Sequence, residues 1–255
     1  MLRIILVGFM LTLTACAQEA GPEPRLPVTE SAAAADSPVP NVDRDGIANG
    51  SRAAAPASDD SPIRTILFIG TSLTAGYGVG EDVAFPAVIQ QMIDSAGLPF
   101  RVVNAGISGE TSAGGLRRID WSLQQPVDVL VLELGANDGL RALPPQDMRA
   151  NLDEMLRRAR ARYPDVAIVI AGMEAPPNLG EAYTSGFRRV FTDLAGRYDA
   201  ALVPFLLEDV AARADLNIAD GIHPNPQGHR AIALTVWQVL EPVLRQRAAQ
   251  PASSD

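Results

Sequence analysis

Histidine and cysteine are scarce, the 255 residues holding two of the first and one of the second. A lone cysteine, Cys16, excludes an internal disulfide as a determinant of the fold. With only His223 and His229 besides it, no further His or Cys is present to complete a metal site, and no metal is expected. Clusters of basic residues are also missing: Lys and Arg total 21 against 30 Asp and Glu, a net charge of -9. Neutralising a phosphate backbone needs grouped cations, so a nucleic-acid partner is excluded. Long hydrophobic runs are wanting too, since the apolar stretch Ile4 to Leu13 is too short to span a bilayer.

That stretch follows Arg3, and a positive start before a short apolar run reads as an export signal. It ends in Leu13-Thr14-Ala15-Cys16, which resembles a bacterial lipobox. Residues 1–16 are therefore expected to be a lipoprotein signal, with Cys16 acylated and exposed as the new N-terminus. An unmodified signal cleaved nearby, or a simple buried thiol, is the alternative. Either form of export predicts a periplasmic protein, held at a membrane by its lipid or otherwise soluble. From Ala17 to Pro62 the chain is mostly Ala, Pro, Ser, Asp and Gly, with few large apolar residues whose burial could offset ordering the backbone. This segment is expected to be a disordered tether. The rest, 47% hydrophobic and 20% charged over the whole chain, is globular in profile. It predicts one domain over 63–247 and a short disordered tail over 248–255.

Inside that domain, apolar β-rich runs alternate with segments of helical period. The runs are Thr65 to Gly70, Phe100 to Ala105, Val127 to Gly135, Val166 to Gly172 and, more weakly, Ala201 to Phe205. Continuous apolar strands suit a parallel sheet covered on both faces. Pro86 to Ala96 reads as a helix closed by Gly97. Pro144 to Arg162 places Met148, Leu152, Met155, Leu156 and Ala159 on one face. Asn225-Pro226 reads as the cap and first residue of a last helix carrying Ile232, Val236, Leu240 and Val243, and holding His229 in a structural role. Strand and helix in alternation predict a doubly wound α/β fold, whose ligands lie beyond the carboxyl ends of the strands.

Four polar segments fall at that rim. After the first strand comes Gly70-Thr71-Ser72-Leu73, where a serine can present its hydroxyl and its N–H to one space; an ordinary turn serine capping a helix is the plainer reading. After the second strand, Asn104-Ala105-Gly106 allows close backbone approach to a ligand. After the third, Gly135-Ala136-Asn137-Asp138 sets a carboxamide there, although Asn, Asp and Gly also make simple turns. Before the last helix stands Asp220-Gly221-Ile222-His223-Pro224. Asp and His three residues apart can place a carboxylate on Nδ1 and aim Nε2 outward, as the base for a serine requires. A surface or capping histidine is the alternative.

Together these segments, in this order and spacing, resemble the four blocks of the SGNH, or GDSL-type, hydrolases from Thr65 to the last helix. Ser108-Gly109-Glu110-Thr111-Ser112 and Asn137-Asp138-Gly139-Leu140-Arg141 place the resemblance nearest the bacterial arylesterase, thioesterase and lysophospholipase branch. The resemblance implies a three-layer α/β/α, flavodoxin-like fold with a five-stranded parallel sheet. It implies Ser72 as nucleophile, His223 as general base and Asp220 as its orienting acid. An oxyanion hole would be formed by the N–H groups of Ser72 and Gly106 and the amide of Asn137. No metal or organic cofactor would be needed, and the substrate would be a small ester, thioester or lysophospholipid. Met173, Pro176, Pro177, Asn178 and Leu179 resemble the family's substrate loop, or form a connector stiffened by its prolines. Thr71 departs from the Asp that the family usually carries before the serine, a change expected to perturb the local turn and leave the mechanism intact. A carbohydrate O-acetylesterase and an acyl-binding surface lipoprotein without turnover are the alternatives.

Overall fold

The computed structural model describes residues 62–250. The expected export signal, Cys16 and nearly all of the tether lie outside them, as do residues 251–255. In chain order the elements are β1 (Arg64–Gly70), α1 (Ser72–Ala75), α2 (Phe85–Ser95), β2 (Phe100–Gly106), α3 (Ser112–Ser122), β3 (Val129–Glu133), α4 (Ala136–Leu140), α5 (Pro145–Arg162), β4 (Ala167–Ala171), α6 (Glu181–Tyr198), β5 (Ala201–Val203) and α7 (Pro226–Ala248). Short 3₁₀ turns occupy Glu81–Val83 and Pro177–Leu179.

The strands pair in the order β2-β1-β3-β4-β5, and every pairing is parallel. This is the flavodoxin-like order, in which the chain turns back on itself between β1 and β3. Parallel strands must be linked by crossovers, and apolar helices cover both faces as a result. β3 is buried along its whole length, and β1 is buried except at Thr65. Helix α2 packs on α7 on one side of the sheet; α3, α5 and α6 pack in sequence on the other. The inner face of α5 is Met148, Leu152, Met155, Leu156 and Ala159, as its spacing predicts.

Helix α7 begins where its sequence signals it should. The Asn225 side chain accepts the N–H groups of Gln227 and Gly228, and Pro226 takes the first turn, where a missing N–H does no harm. The helix continues past Pro242 to Ala248, one residue beyond the expected end of the domain. His229 is wholly buried in it, and its Nδ1 accepts the N–H of Phe85 at 3.1 Å, tying α7 to the start of α2.

Candidate active site

Ser72 is the first residue of α1, directly after β1. Thr71 caps that turn: its backbone is extended and its hydroxyl accepts the Leu73 N–H, so the local turn is well formed with Thr in this place. Gly76, in the left-handed region at φ 76°, ends the turn and returns its N–H to the Ser72 carbonyl. The serine is thereby held at the carboxyl end of the strand beside the β1–β3 switch point.

From 151 residues further along the chain, His223 brings Nε2 to 2.9 Å from Ser72 Oγ. Its other ring nitrogen lies 2.7 Å from Asp220 Oδ2. The second carboxylate oxygen of Asp220 accepts the backbone N–H groups of Ile222 at 2.9 Å and His223 at 3.0 Å. Those backbone and ring donors, that of His223 first, hold the Asp220 carboxyl down at about 2 although it is exposed. A permanently ionised Asp220 fixes a proton on Nδ1 and leaves the lone pair of Nε2 facing the serine. The Tyr77 ring packs against the imidazole, centroids 4.5 Å apart.

Gly106 ends β2 beside this group. A Cβ there would lie 2.4 Å from the Ala75 nitrogen, so only glycine lets the turn of α1 come so close. Its N–H donates to Asn104 Oδ1 at 3.0 Å, and Asn104 Nδ2 donates to the Thr74 carbonyl at 2.8 Å. Asn104 therefore joins the end of β2 to the turn that carries Ser72. Asn137, the second residue of α4, donates through Nδ2 to the Glu110 carbonyl at 3.0 Å, which leaves the other proton of that amide for a ligand. The neighbouring Asp138 is buried and accepts both the N–H and the hydroxyl of Ser112, fixing α4 against the start of α3.

The loop after β4 divides. Met173 is 5% exposed and belongs to the core, while Pro177 and Asn178 are exposed and Pro176 and Leu179 half-buried. Leu179 packs on the core and Met173 backs the loop from within. Among the described residues, no hydrogen bond joins this loop to Ser72, Asp220 or His223. Ser72, His223 and Asp220 lie on an open rim, Asp220 exposed and the other two half-buried. A crevice of about 750 Å³ runs beside β2 between Val103, Trp121 and Val127, and meets the site only at its Gly106 and Ile107 end.

Three residues at the site have no role assigned to them by the sequence. Tyr77 carries no distinguishing spacing. Asp138 was visible only as part of a turn motif. Glu133 had a signal, an acid closing an otherwise apolar strand run; it is fully buried behind Ser72, where the Thr71 N–H and the Thr71 and Thr74 hydroxyls meet it.

The model of the GDSL-like lipase/acylhydrolase family matches residues 68–231. Esterase TesA of Pseudomonas aeruginosa is 39% identical over 182 residues, 71% of this chain and 90% of that protein. The thioesterase 1/protease 1/lysophospholipase L1 of Escherichia coli K12 is 36% identical over 182 residues, covering 71% of this chain and 85% of its own. Among solved structures, the psychrotrophic esterase EstA of a Pseudoalteromonas species, inhibited by monoethylphosphonate, superimposes with a TM-score of 0.67. It is 33% identical, over 71% of this chain and 99% of that one.

Proposed function

The chain belongs to the GDSL-like lipase/acylhydrolase family and is an ester-bond hydrolase acting on small molecules, and from that premise we propose that it works through a Ser72-His223-Asp220 triad and an acyl-enzyme, on carboxylic esters or thioesters with apolar groups. The observation that carries this reading is the unbroken relay from Asp220 Oδ2 through His223 to Ser72 Oγ, at 2.7 Å and 2.9 Å. Ser72 Oγ attacks the acyl carbon while His223 Nε2 takes its proton. The same proton passes to the departing alkoxide or thiolate, and a water then repeats the sequence to release the acid.

Negative charge on the carbonyl oxygen would meet the N–H of Ser72 at the start of α1 and the free proton of Asn137 Nδ2. The Gly106 N–H, which donates to Asn104 Oδ1 at 3.0 Å, would turn from that partner to the oxyanion. Removing one such donor typically lowers turnover ~10²–10³-fold.

The rim supports an apolar substrate. Tyr77, Ile107, Leu140 and Ile222 are 51%, 47%, 59% and 55% exposed, and each is on the turn that carries a site residue or immediately beside one. Large exposed apolar side chains gathered around one site are a mark of contact with apolar ligands. An acyl chain or aryl leaving group fits such a rim better than an acetylated sugar does. The intact relay argues against a protein that binds acyl groups without turnover.

The experiment is hydrolysis of p-nitrophenyl esters and acyl thioesters of graded chain length by wild type and Ser72→Ala. We expect turnover of several acyl lengths and its loss in the variant, with wild type labelled at Ser72 by a fluorophosphonate. Equal turnover by Ser72→Ala would refute the nucleophile; activity confined to sugar acetates would select the O-acetylesterase. The reading extends to export, with Cys16 as lipid anchor and the stretch to Pro62 as tether. Cys16→Ala is expected to release the protein from the membrane fraction, and absence of wild type from that fraction would refute the anchor.

A further inference from the structure

Glu133 closes β3, directly opposite Gly70 in the β1–β3 register, and no part of it reaches solvent. A carboxylate buried this way loses the water that stabilises its charge, so the position is costly unless the protein supplies donors in return. All the donors found come from one short stretch. Glu133 Oε2 accepts the Thr71 N–H at 2.8 Å and the Thr74 hydroxyl at 2.8 Å, and the Thr71 hydroxyl lies 3.0 Å from both carboxylate oxygens. Ser72 sits between the two threonines in the chain. Gly70 opens the space: a Cβ there would lie 2.0 Å from Thr74 Oγ1 and 2.6 Å from Glu133 Oε2.

We propose that Glu133 is a positioning residue for the hydrolysis, its ionised carboxylate gripping Thr71 and Thr74 from behind so that Ser72 is held at hydrogen-bond distance from His223. The inference rests on the assignment of Ser72 as nucleophile. An ionised carboxylate is acceptor-only and takes all three donors at once, whereas the protonated acid must donate one hydrogen itself and gives up part of the grip. Bonds to the charged form are also about twice as strong as neutral ones. Thr71 is well chosen for this arrangement, because a hydroxyl beside Glu133 donates where a second carboxylate would repel.

Protonation of Glu133 should therefore loosen the nucleophile. Burial pushes its carboxyl up to about 7, against the opposing pull of the Thr71 and Thr74 hydrogen bonds. The strands flanking Glu133 bring no charge to it: β4 is Ala-Ile-Val-Ile-Ala, and the charged residue of β1, Arg64, stands at the far end of its strand. Helix α1, Ser-Leu-Thr-Ala, has no acid or base. Asp138 in α4 is engaged by Ser112. His229 in α7 is held neutral by burial, with its pKa lowered to about 4. His223, bonded to Ser72 on the side away from Glu133, is the other group whose protonation acts on the nucleophile turn.

The test measures kcat, KM and the rate of fluorophosphonate labelling from pH 5 to 9 for wild type, Glu133→Gln and Thr74→Val, each checked for folding by circular dichroism. At pH 8.5 Glu133→Gln, which has the shape of the neutral acid, is expected to lose about tenfold in kcat with KM nearly unchanged, the effect of one charge-assisted bond. Its acid limb in log kcat/KM falls with a slope of one, where wild type is steeper than one through the Glu133 titration and runs parallel to the variant again below it. Thr74→Val removes one arm of the grip and moves the acid limb to higher pH, and it decides the matter if Glu133→Gln does not fold. A folded Glu133→Gln with wild-type kcat and an unaltered acid limb would overturn the proposal, as would an unshifted limb in Thr74→Val. If wild type itself escapes labelling at Ser72, the nucleophile assignment fails instead.

Discussion

Replacing Glu133 with Gln should make the protein more stable while making it slower, and the gain should depend on pH. The carboxyl titrates at 4.5 in the unfolded chain and at about 7 in the native protein, chiefly because burial removes its water. A group that holds its proton more tightly when folded favours the native state below its unfolded pKa, and that advantage is lost as pH rises through the native value. At ~1.4 kcal/mol per unit, the full interval between 4.5 and about 7 amounts to about 3 kcal/mol once the pH is well above 7. Glutamine never ionises and escapes this cost. Glu133→Gln should therefore match wild type near pH 4.5 and exceed it by about 3 kcal/mol at pH 8.5. For a domain of this size the gain corresponds to roughly 6–12 °C in melting temperature. Urea unfolding at the two pH values measures it directly, since every other titrating group is common to both proteins and cancels. A carboxyl whose pKa folding left unshifted would behave otherwise: its removal would change stability by the same amount at both pH values. If Glu133→Gln is destabilised equally at pH 4.5 and 8.5, the argument from a buried charge is wrong.

The remaining predictions concern the front of the site and the helix behind it. If Asn137 donates to the oxyanion as proposed, Asn137→Ala should lower kcat ~10²–10³-fold with KM little altered, read in p-nitrophenyl ester hydrolysis; an unchanged kcat would take Asn137 out of the oxyanion hole. Asp220→Asn should reduce kcat by up to ~10⁴-fold, because the imidazole loses the acceptor that keeps Nδ1 protonated. With its pKa near 2, Asp220 in wild type should add no step to the pH profile above about pH 3. Gly106→Ala drives a methyl to within 2.4 Å of the Ala75 backbone, so activity should collapse and thermal stability should fall. His229, depressed to about 4 by burial, resists protonation when folded. The contribution of His229 to native stability is therefore full above about 6.5 and drains away as pH falls towards 4, through a proton taken up by its imidazole on unfolding that a His229→Gln variant lacks.

Where the physics is local, the sequence was readable. The strands follow from runs of Val, Ile and Leu, α5 from its spacing, and the start of α7 from Asn225 and Pro226. The run Val127 to Gly135 was too long by two residues at each end, since Gly135 at φ 120° swings the chain out of the sheet into α4. Helices α3 and α6 stayed hidden because each contains two glycines, which locally favour turns. Gly115 is required by packing instead: a Cβ there would lie 2.3 Å from Leu134 Cδ1, a contact made across the fold. Ser72, Gly106, Asn137, Asp220 and His223 could be singled out because four short blocks occur in a known order, and the structure joins Ser72, His223 and Asp220 by hydrogen bonds. Glu133 was not legible, because an acid in an apolar strand has meaning only once the residues that face it are known.

The two hydrogen-bond systems around Ser72 keep their charges by opposite means. In front, Asp220 is exposed, and backbone N–H groups from its own turn suffice to keep it ionised. That economy leaves the rim open, with room for bulky acyl and leaving groups beside His223. Behind, Glu133 is sealed in the core, and its charge survives only through donors on the very turn it positions. An exposed carboxylate there would be solvated and free to move, and could not fix a backbone to within a few tenths of an ångström. Burial gives the rear clamp its stiffness and also raises its pKa, so rigidity and sensitivity to pH have a single physical origin. A more stable variant that keeps the full rate should then be hard to reach by changing Glu133 alone, since any neutral replacement relieves the strain and slackens the nucleophile together.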